Sequence, residues 1–196
     1  MNHPSKKFVT IDPPFTFKNG DIFDDPITIA YETSGVLNEK KDNAILVATG
    51  LSPSAHICSS LDDPSDGWWE EIVGEGKYID TQKYFVICIN SLGSCYGSSG
   101  PASHKPDTKE RYGLSFPEVT IEDIALSMKP VIGELGIKTL YSIIGPSMGG
   151  MTALSLVKQF PSITKNLVLI STAAACRPFS IAVRSLQRKL ITSDQN

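Results

Sequence analysis

Histidine is scarce in this chain: three residues, His3, His56 and His104, in 196. Long apolar runs are missing. The longest, Tyr84–Ile89, has six residues, against the ~20 that a membrane helix needs. Basic clusters are missing too. Lys and Arg number 18 against 21 Asp and Glu, the net charge is −3, and no five like charges follow one another. That excludes an extended nucleic-acid or anionic-membrane surface. The four cysteines, Cys58, Cys88, Cys95 and Cys176, form no C-x-x-C pair and read as ordinary thiols of a reducing compartment. Met1–Lys7 is polar, so no signal peptide is expected. No metal centre and no bound cofactor are expected. Glycine (15) and proline (13) are near ordinary usage, which excludes collagen-like and low-complexity classes. What remains is a cytoplasmic protein with no nucleic-acid or membrane partner, of a length that suits one domain.

Short apolar runs predict strands at Phe15–Phe17, Ile27–Tyr31, Ile45–Thr49, Tyr84–Asn90, Leu140–Ile144 and Leu167–Ile170. The later ones are apolar almost throughout, the pattern of parallel strands covered on both faces. The earlier ones can pair as an antiparallel hairpin. From Ile121, the residues Ile124, Ala125, Met128, Ile132 and Leu135 recur at spacings of three and four. Thr120 can cap that helix and Gly136 can end it. A second helix runs from Ser147 to Phe160 and a third from Phe179 to Ile191. Alternating strands and helices predict an α/β fold with a mostly parallel sheet. Two long stretches rich in Gly, Ser, Pro and Asp, Leu51–Lys77 and Ser91–Pro117, follow strand carboxyl ends, where open α/β sheets build their sites.

Gly145-Pro146-Ser147-Met148-Gly149 fits G-x-S-x-G. It directly follows one predicted strand and opens a helix, the setting of a nucleophile elbow. Glycines without a Cβ let the backbone pack tightly there, and the helix N-terminus offers free N–H groups beside the serine. Ser147 is the candidate nucleophile. Met148 N–H and Leu51 N–H, the latter from the loop Thr49-Gly50-Leu51-Ser52, are the candidate oxyanion donors. The plain alternative is a Gly-rich strand–helix turn; a dinucleotide fingerprint is not present. A serine needs a base, yet all three histidines precede Ser147 and the one acid after it is Asp194. His56 and His104 could approach the site from the long loops, though the expectation is that they are surface residues. His3 is expected to be solvated. Trp68-Trp69 is expected to pack under the first loop.

The sequence resembles the homoserine/serine O-acyltransferases of the α/β-hydrolase superfamily. The resemblance is carried by Gly50–His56 (GLSPSAH), Gly67–Glu70 (GWWE), Asp80-Thr81 leading into Tyr84–Cys88, Ser115–Pro117 (SFP) and Ser147–Met151 (SMGGM). It is carried most specifically by Asn90–Pro101 (NSLGSCYGSSGP) and spans nearly all of residues 8–196. GLSPSAH, NSLGSC and Pro178–Arg188 are most similar to the serine O-succinyltransferase branch. The resemblance implies an α/β-hydrolase fold and transfer of an acetyl or succinyl group from acyl-CoA, a co-substrate, to the hydroxyl of L-homoserine or L-serine. That chemistry serves methionine or cysteine biosynthesis and passes through an acyl-Ser147 intermediate. Ser52, Pro53, Ser54 and Ala55 are candidates for substrate and acyl specificity. Arg184 and Arg188 join them, because Arg177, Ile181, Arg184 and Arg188 share a helix face and a guanidinium there could hold a succinyl carboxylate. The alternative is that these arginines are solvated.

Set against the family pattern, residues 1–175 are expected to form the N-terminal part of the core and 176–196 the start of a helical cap. The chain is then expected to stop before the last strands and most of the cap, without the triad Asp and His, and to be inactive alone. The resemblance allows a homodimer of the longer form, and the oligomeric state stays open. An esterase or thioesterase with the same elbow, and an inactive truncated relative with an uncovered sheet edge, stay open as alternatives.

Overall fold

The computed structural model describes residues 5–194. Its centre is a six-stranded sheet with strand order β1-β4-β8-β5-β9-β10. The members are β1 (Lys7–Ile11), β4 (Ile27–Ser34), β5 (Ala44–Ala48), β8 (Phe85–Ile89), β9 (Leu140–Pro146) and β10 (Thr164–Ile170). β8, β5, β9 and β10 run parallel to one another. β4 joins β8 antiparallel, and β1 joins β4 antiparallel. Two small ribbons stand apart: β2 (Phe15–Thr16) with β3 (Ile22–Phe23), and β6 (Val73–Gly74) with β7 (Ile79–Asp80). The expected hairpin between Phe15–Phe17 and Ile27–Tyr31 does not form. Phe15 pairs with Phe23 across a tight turn, and β4 takes β1 and β8 as neighbours instead. The alternation in Lys7–Ile11 is weak, which hid β1.

Helix α1 (Ile121–Glu134) starts at a capping box. Thr120 Oγ1 accepts from Asp123 N–H at 3.3 Å, and Asp123 Oδ2 accepts from Thr120 N–H at 2.8 Å. Asp123 Oδ1 also accepts Lys18 N–H at 2.7 Å, fastening the N-terminal segment to the helix start. The helix ends where Gly136 takes φ +67°, as a terminating glycine does. Helix α2 (Met148–Gln159) packs on α1 and β9. Leu46, Ile87, Met128, Ile132, Leu140, Ile143 and Leu156 form the floor of the main core.

The long stretch Ser91–Pro117 is irregular but firmly seated. Phe116, Tyr112, Phe23 and Phe17 meet in edge-to-face and tilted contacts with ring centres 5.3–6.3 Å apart. Tyr112 donates its hydroxyl to Asp25 Oδ2 at 2.6 Å, and burial with that partner raises the phenol pKa. The serines of Asn90–Pro101 staple the same loop to β4. Ser98 Oγ accepts Ala30 N–H at 3.0 Å, and Ser99 Oγ accepts Thr28 N–H at 2.9 Å. Trp68 and Trp69 stack at 5.1 Å against Ile45, Val47 and Val86, a packing role as expected.

β10 departs from expectation. Its apolar run, read as covered on both faces, leaves Val168, Leu169 and Ile170 at 43%, 39% and 38% exposure. It pairs with β9 alone among the described residues. Helix α3 (Pro178–Ser193) buries none of its described side chains. No helix among the described residues is long and apolar enough to cross a membrane.

Candidate functional site

Ser147 sits between the end of β9 and the first turn of α2 with φ +53° and ψ −121°. A non-glycine residue in that region stores on the order of 1–3 kcal/mol of strain, so its surroundings must impose the conformation. Ser147 N–H donates to Ile170 O at 2.9 Å, and Ser147 O accepts Gly150 N–H at 3.1 Å. The glycines of the elbow are needed for space. A Cβ on Gly145 would collide with the Gly149 carbonyl, and one on Gly149 with the Ala48 carbonyl at the end of β5. The elbow is thereby pressed against the strand that feeds the Leu51 loop. A Cβ built on Gly50 would meet the Pro146 carbonyl at van der Waals distance, which puts the loop beside the elbow.

Ser147 is exposed, and no described residue hydrogen-bonds its hydroxyl. Leu51 and Met148 share the lining of one cavity of about 620 Å³. The rest of its wall comes from Ser91–Ser94, Pro101, Phe116–Ile121 and Ile124. Ser94 and the Phe116–Thr120 segment were not singled out as site residues. Their signal was the position of the Ser91–Pro117 stretch, which leaves the carboxyl end of β8 and returns at the capped start of α1.

The other candidates fall elsewhere. Ser52 is exposed, Pro53 and Ser54 are half-buried and Ala55 is fully buried; none of the four lines this cavity. Ser54 is engaged in holding the loop, with its carbonyl accepting the Trp68 indole N–H at 3.0 Å. Arg184 and Arg188 lie on the exposed helix α3, away from the cavity lining. Arg184 Nη1 donates to Gln187 Oε1 at 3.1 Å within the same helix.

His56 is not the surface residue expected. It is 4% exposed, with Nδ1 2.9 Å from Glu32 Oε2 and Nε2 2.9 Å from the Ser65 carbonyl. Both nitrogens are committed there, so this ring does not serve Ser147. His104 is exposed and its backbone bridges to Arg111. His3 lies outside the described residues. Among the described residues no group of His, Cys, Asp or Glu side chains is placed to hold a metal ion.

The chain is 51% identical to an L-serine/homoserine O-acetyltransferase of Streptomyces lavendulae over 97% of this chain and 51% of that protein. It is 50% identical to a serine O-succinyltransferase of Xanthomonas campestris pv. campestris over 96% of this chain and 49% of that protein. The chain thus spans about half the length of the curated relatives it matches. Among solved structures, esterase E22 superposes with a TM-score of 0.84 at 33% identity, over 97% of this chain and 54% of that one. A homoserine O-acetyltransferase from Bacillus anthracis superposes with a TM-score of 0.80 at 31% identity, over 91% and 49%. The family model for the alpha/beta hydrolase fold matches residues 43–189. That span takes in the β5–β8–β9 core, the Leu51 loop and the Ser147 elbow, and the chain belongs to the alpha/beta hydrolase fold family.

Proposed function

We propose that this chain carries the nucleophile and oxyanion half of an acyl-CoA-dependent O-acyltransferase acting on the side-chain hydroxyl of L-serine or L-homoserine. The observation that carries the reading is the strained, exposed Ser147 at a helix N-terminus, next to a cavity shared by Leu51 and Met148. The names of the curated relatives supply the acyl-transfer chemistry. Ser147 Oγ attacks the thioester carbonyl carbon while a base takes its proton. Leu51 and Met148 N–H groups stabilise the tetrahedral oxyanion, worth about 2.7–4 kcal/mol for each donor. The C–S bond breaks and coenzyme A leaves as the thiol. The amino-acid hydroxyl then attacks the acyl-serine, gives its proton to the base, and leaves as the ester while Ser147 Oγ is reprotonated. His56 is held by Glu32 and the Ser65 carbonyl, and in this reading base and orienter belong to the part of the relatives' length that this chain does not span. In this reading residues 176–194 begin a cap that limits water, because the acyl-serine must meet the acceptor before it meets solvent.

The test crosses succinyl-CoA and acetyl-CoA with L-serine and L-homoserine. It is run on this chain and on a chain that carries the further residues its relatives have. Transfer in the longer chain, abolished by Ser147→Ala, is the expected result. The similarity to esterase E22 favours a second reading, ester hydrolysis at the same serine. Rapid p-nitrophenyl ester cleavage with no transfer to either amino acid selects that reading.

A further inference from the structure

His56 lies five residues beyond Leu51, and its ring is gripped at both ends. Nδ1 faces Glu32 Oε2 on β4 at 2.9 Å, and Nε2 faces the Ser65 carbonyl oxygen at 2.9 Å. A carbonyl oxygen only accepts. Glu32 Oε2 is likewise an acceptor, taking the Ser5 hydroxyl at 2.7 Å as well. The Ser65 hydroxyl is 3.2 Å from Nε2, but its single proton goes to Asp63 Oδ1 at 2.6 Å. Both ring nitrogens therefore donate, which only the imidazolium can do.

The charges around the ring agree. Glu32 faces it from β4, and Asp63 Oδ2 stands 3.9 Å from Nδ1 on the same loop. Behind them, among the described residues, lie Cys58 and Cys88, thiols whose pKa burial raises, with Glu70 and Lys77 of opposite charge beyond Cys58. Burial works against a charge on His56, but the Glu32 carboxylate, the Ser65 carbonyl and Asp63 outweigh it and hold the imidazole above its ordinary range.

This ion pair is also where the Leu51 loop is tied down. Ala55 is fully buried, His56 O accepts Trp68 N–H at 3.2 Å, and Ile57 O accepts Trp69 N–H at 3.0 Å. Upstream, Leu51 and Ser52 are exposed. We propose that the buried His56–Glu32 ion pair is a positioning device that anchors the Gly50–Ala55 loop, so that Leu51 keeps its place beside the Ser147 elbow only while His56 is doubly protonated. As a statement about catalysis it rests on the acyl-transfer reading; as a statement about the loop it does not. The sign follows from linkage. The contribution is complete below the ordinary imidazole pKa and is lost as pH rises through the raised one. Deprotonation turns a nitrogen lone pair toward an acceptor and strands Glu32, whose Oε1 already has no hydrogen-bond partner among the described residues.

The experiment labels the histidines of this chain with 15N and follows the ring nitrogens and backbone amides against pH. Just above the ordinary imidazole value, where a free histidine has begun to lose its proton, both His56 ring nitrogens still carry protons. Through His56's own titration, the Leu51 amide shifts with the same midpoint. The Trp68 amide then exchanges faster relative to β8 amides. Glu32→Gln moves both midpoints down together. A singly protonated His56 at that pH overturns the proposal, as does a Leu51 amide indifferent to the titration. If Glu32→Gln fails to fold, the wild-type titration decides alone. In an active longer chain, Glu32→Gln lowers kcat about tenfold with KM unchanged, while a fall in neither removes the catalytic role. Absence of transfer in the wild type defeats the acyl-transfer reading, and the ring and amide signals still decide this one.

Discussion

β8 and β10 carry similar apolar runs, FVICI and LVLI, and both lie in the parallel part of one sheet. β8 has strands on both sides and is buried throughout, with Ile87 and Ile89 fully enclosed. β10 has β9 on one side only among the described residues, and its last three residues are 38–43% exposed. α3, which follows, exposes Phe179, Ile181, Leu186, Leu190 and Ile191. One half of the molecule is therefore closed by its own chain, while the other presents apolar surface of the kind that elsewhere marks contacts. The difference is one of neighbours rather than composition. The elbow stands at the boundary: Ser147 N–H bonds the last residue of β10, while Gly149 abuts the end of β5.

The largest test of that boundary is Ser147→Gly. Glycine adopts φ +53° at little cost, so the variant is expected to gain up to about 1 kcal/mol of stability. In an active chain it loses at least about 10⁴-fold in kcat, the scale for removing a nucleophile. Urea unfolding and the four-way transfer assay measure the two. A loss of stability would mean that the hydroxyl, not strain, dominates at the elbow.

Next comes the matched pair Leu46→Ala and Leu169→Ala. Leu46 is fully buried and Leu169 is 39% exposed. The first should cost about 2–5 kcal/mol and the second within about 0.5 kcal/mol. Equal costs would mean that β10 is covered as β5 is. In a longer chain, a Leu169→Ala cost as large as that of Leu46→Ala would show that the added residues are the cover.

A smaller effect belongs to the first long loop, in the closed half. Glu70 accepts from Lys77 Nζ at 2.7 Å and from the amides of Ser59 and Gly67. The Lys77 hydrogen bond leads these in lowering its pKa from 4.5 to about 2. A depressed carboxylate contributes above its unfolded pKa and is lost as pH falls through the folded one. Stability should thus decline between pH 4.5 and about 2, and Glu70→Gln should remove that part of the decline. Unfolding midpoints measured across this window check it; identical slopes in the two proteins would exclude the pair as a contributor.

Most of the frame was legible in local chemistry. Thr120 and Asp123 spell a cap, and the Gly145–Gly149 spacing marks an elbow whose crowding needs bare Cα atoms. What was not legible depended on distant partners. The leucine, valine and isoleucine of β10 look like core because aliphatic residues carry no record of which neighbour will cover them. His56 looked like a loop histidine because its partner Glu32 lies 24 residues upstream, on another strand. Phe116 and its neighbours form a cavity wall only after the aromatic cluster with Phe17 and Phe23 folds the second long loop back over β8.

The smallest expected effect in this chain is at Arg184. Its guanidinium is exposed and bonds Gln187 one turn on, so Arg184→Ala should shift unfolding by less than about 0.5 kcal/mol. The same substitution separates the open half as bare surface from the open half as an unfinished site. If α3 is docked over the cavity in a longer chain, a guanidinium–carboxylate pair to a succinyl group is worth about 1.5–3 kcal/mol. Arg184→Ala should then raise KM for succinyl-CoA about tenfold or more while leaving acetyl-CoA unchanged, since the acetyl group has no free carboxylate to hold. Equal behaviour toward both donors would remove Arg184 from acyl recognition and leave α3 a surface helix.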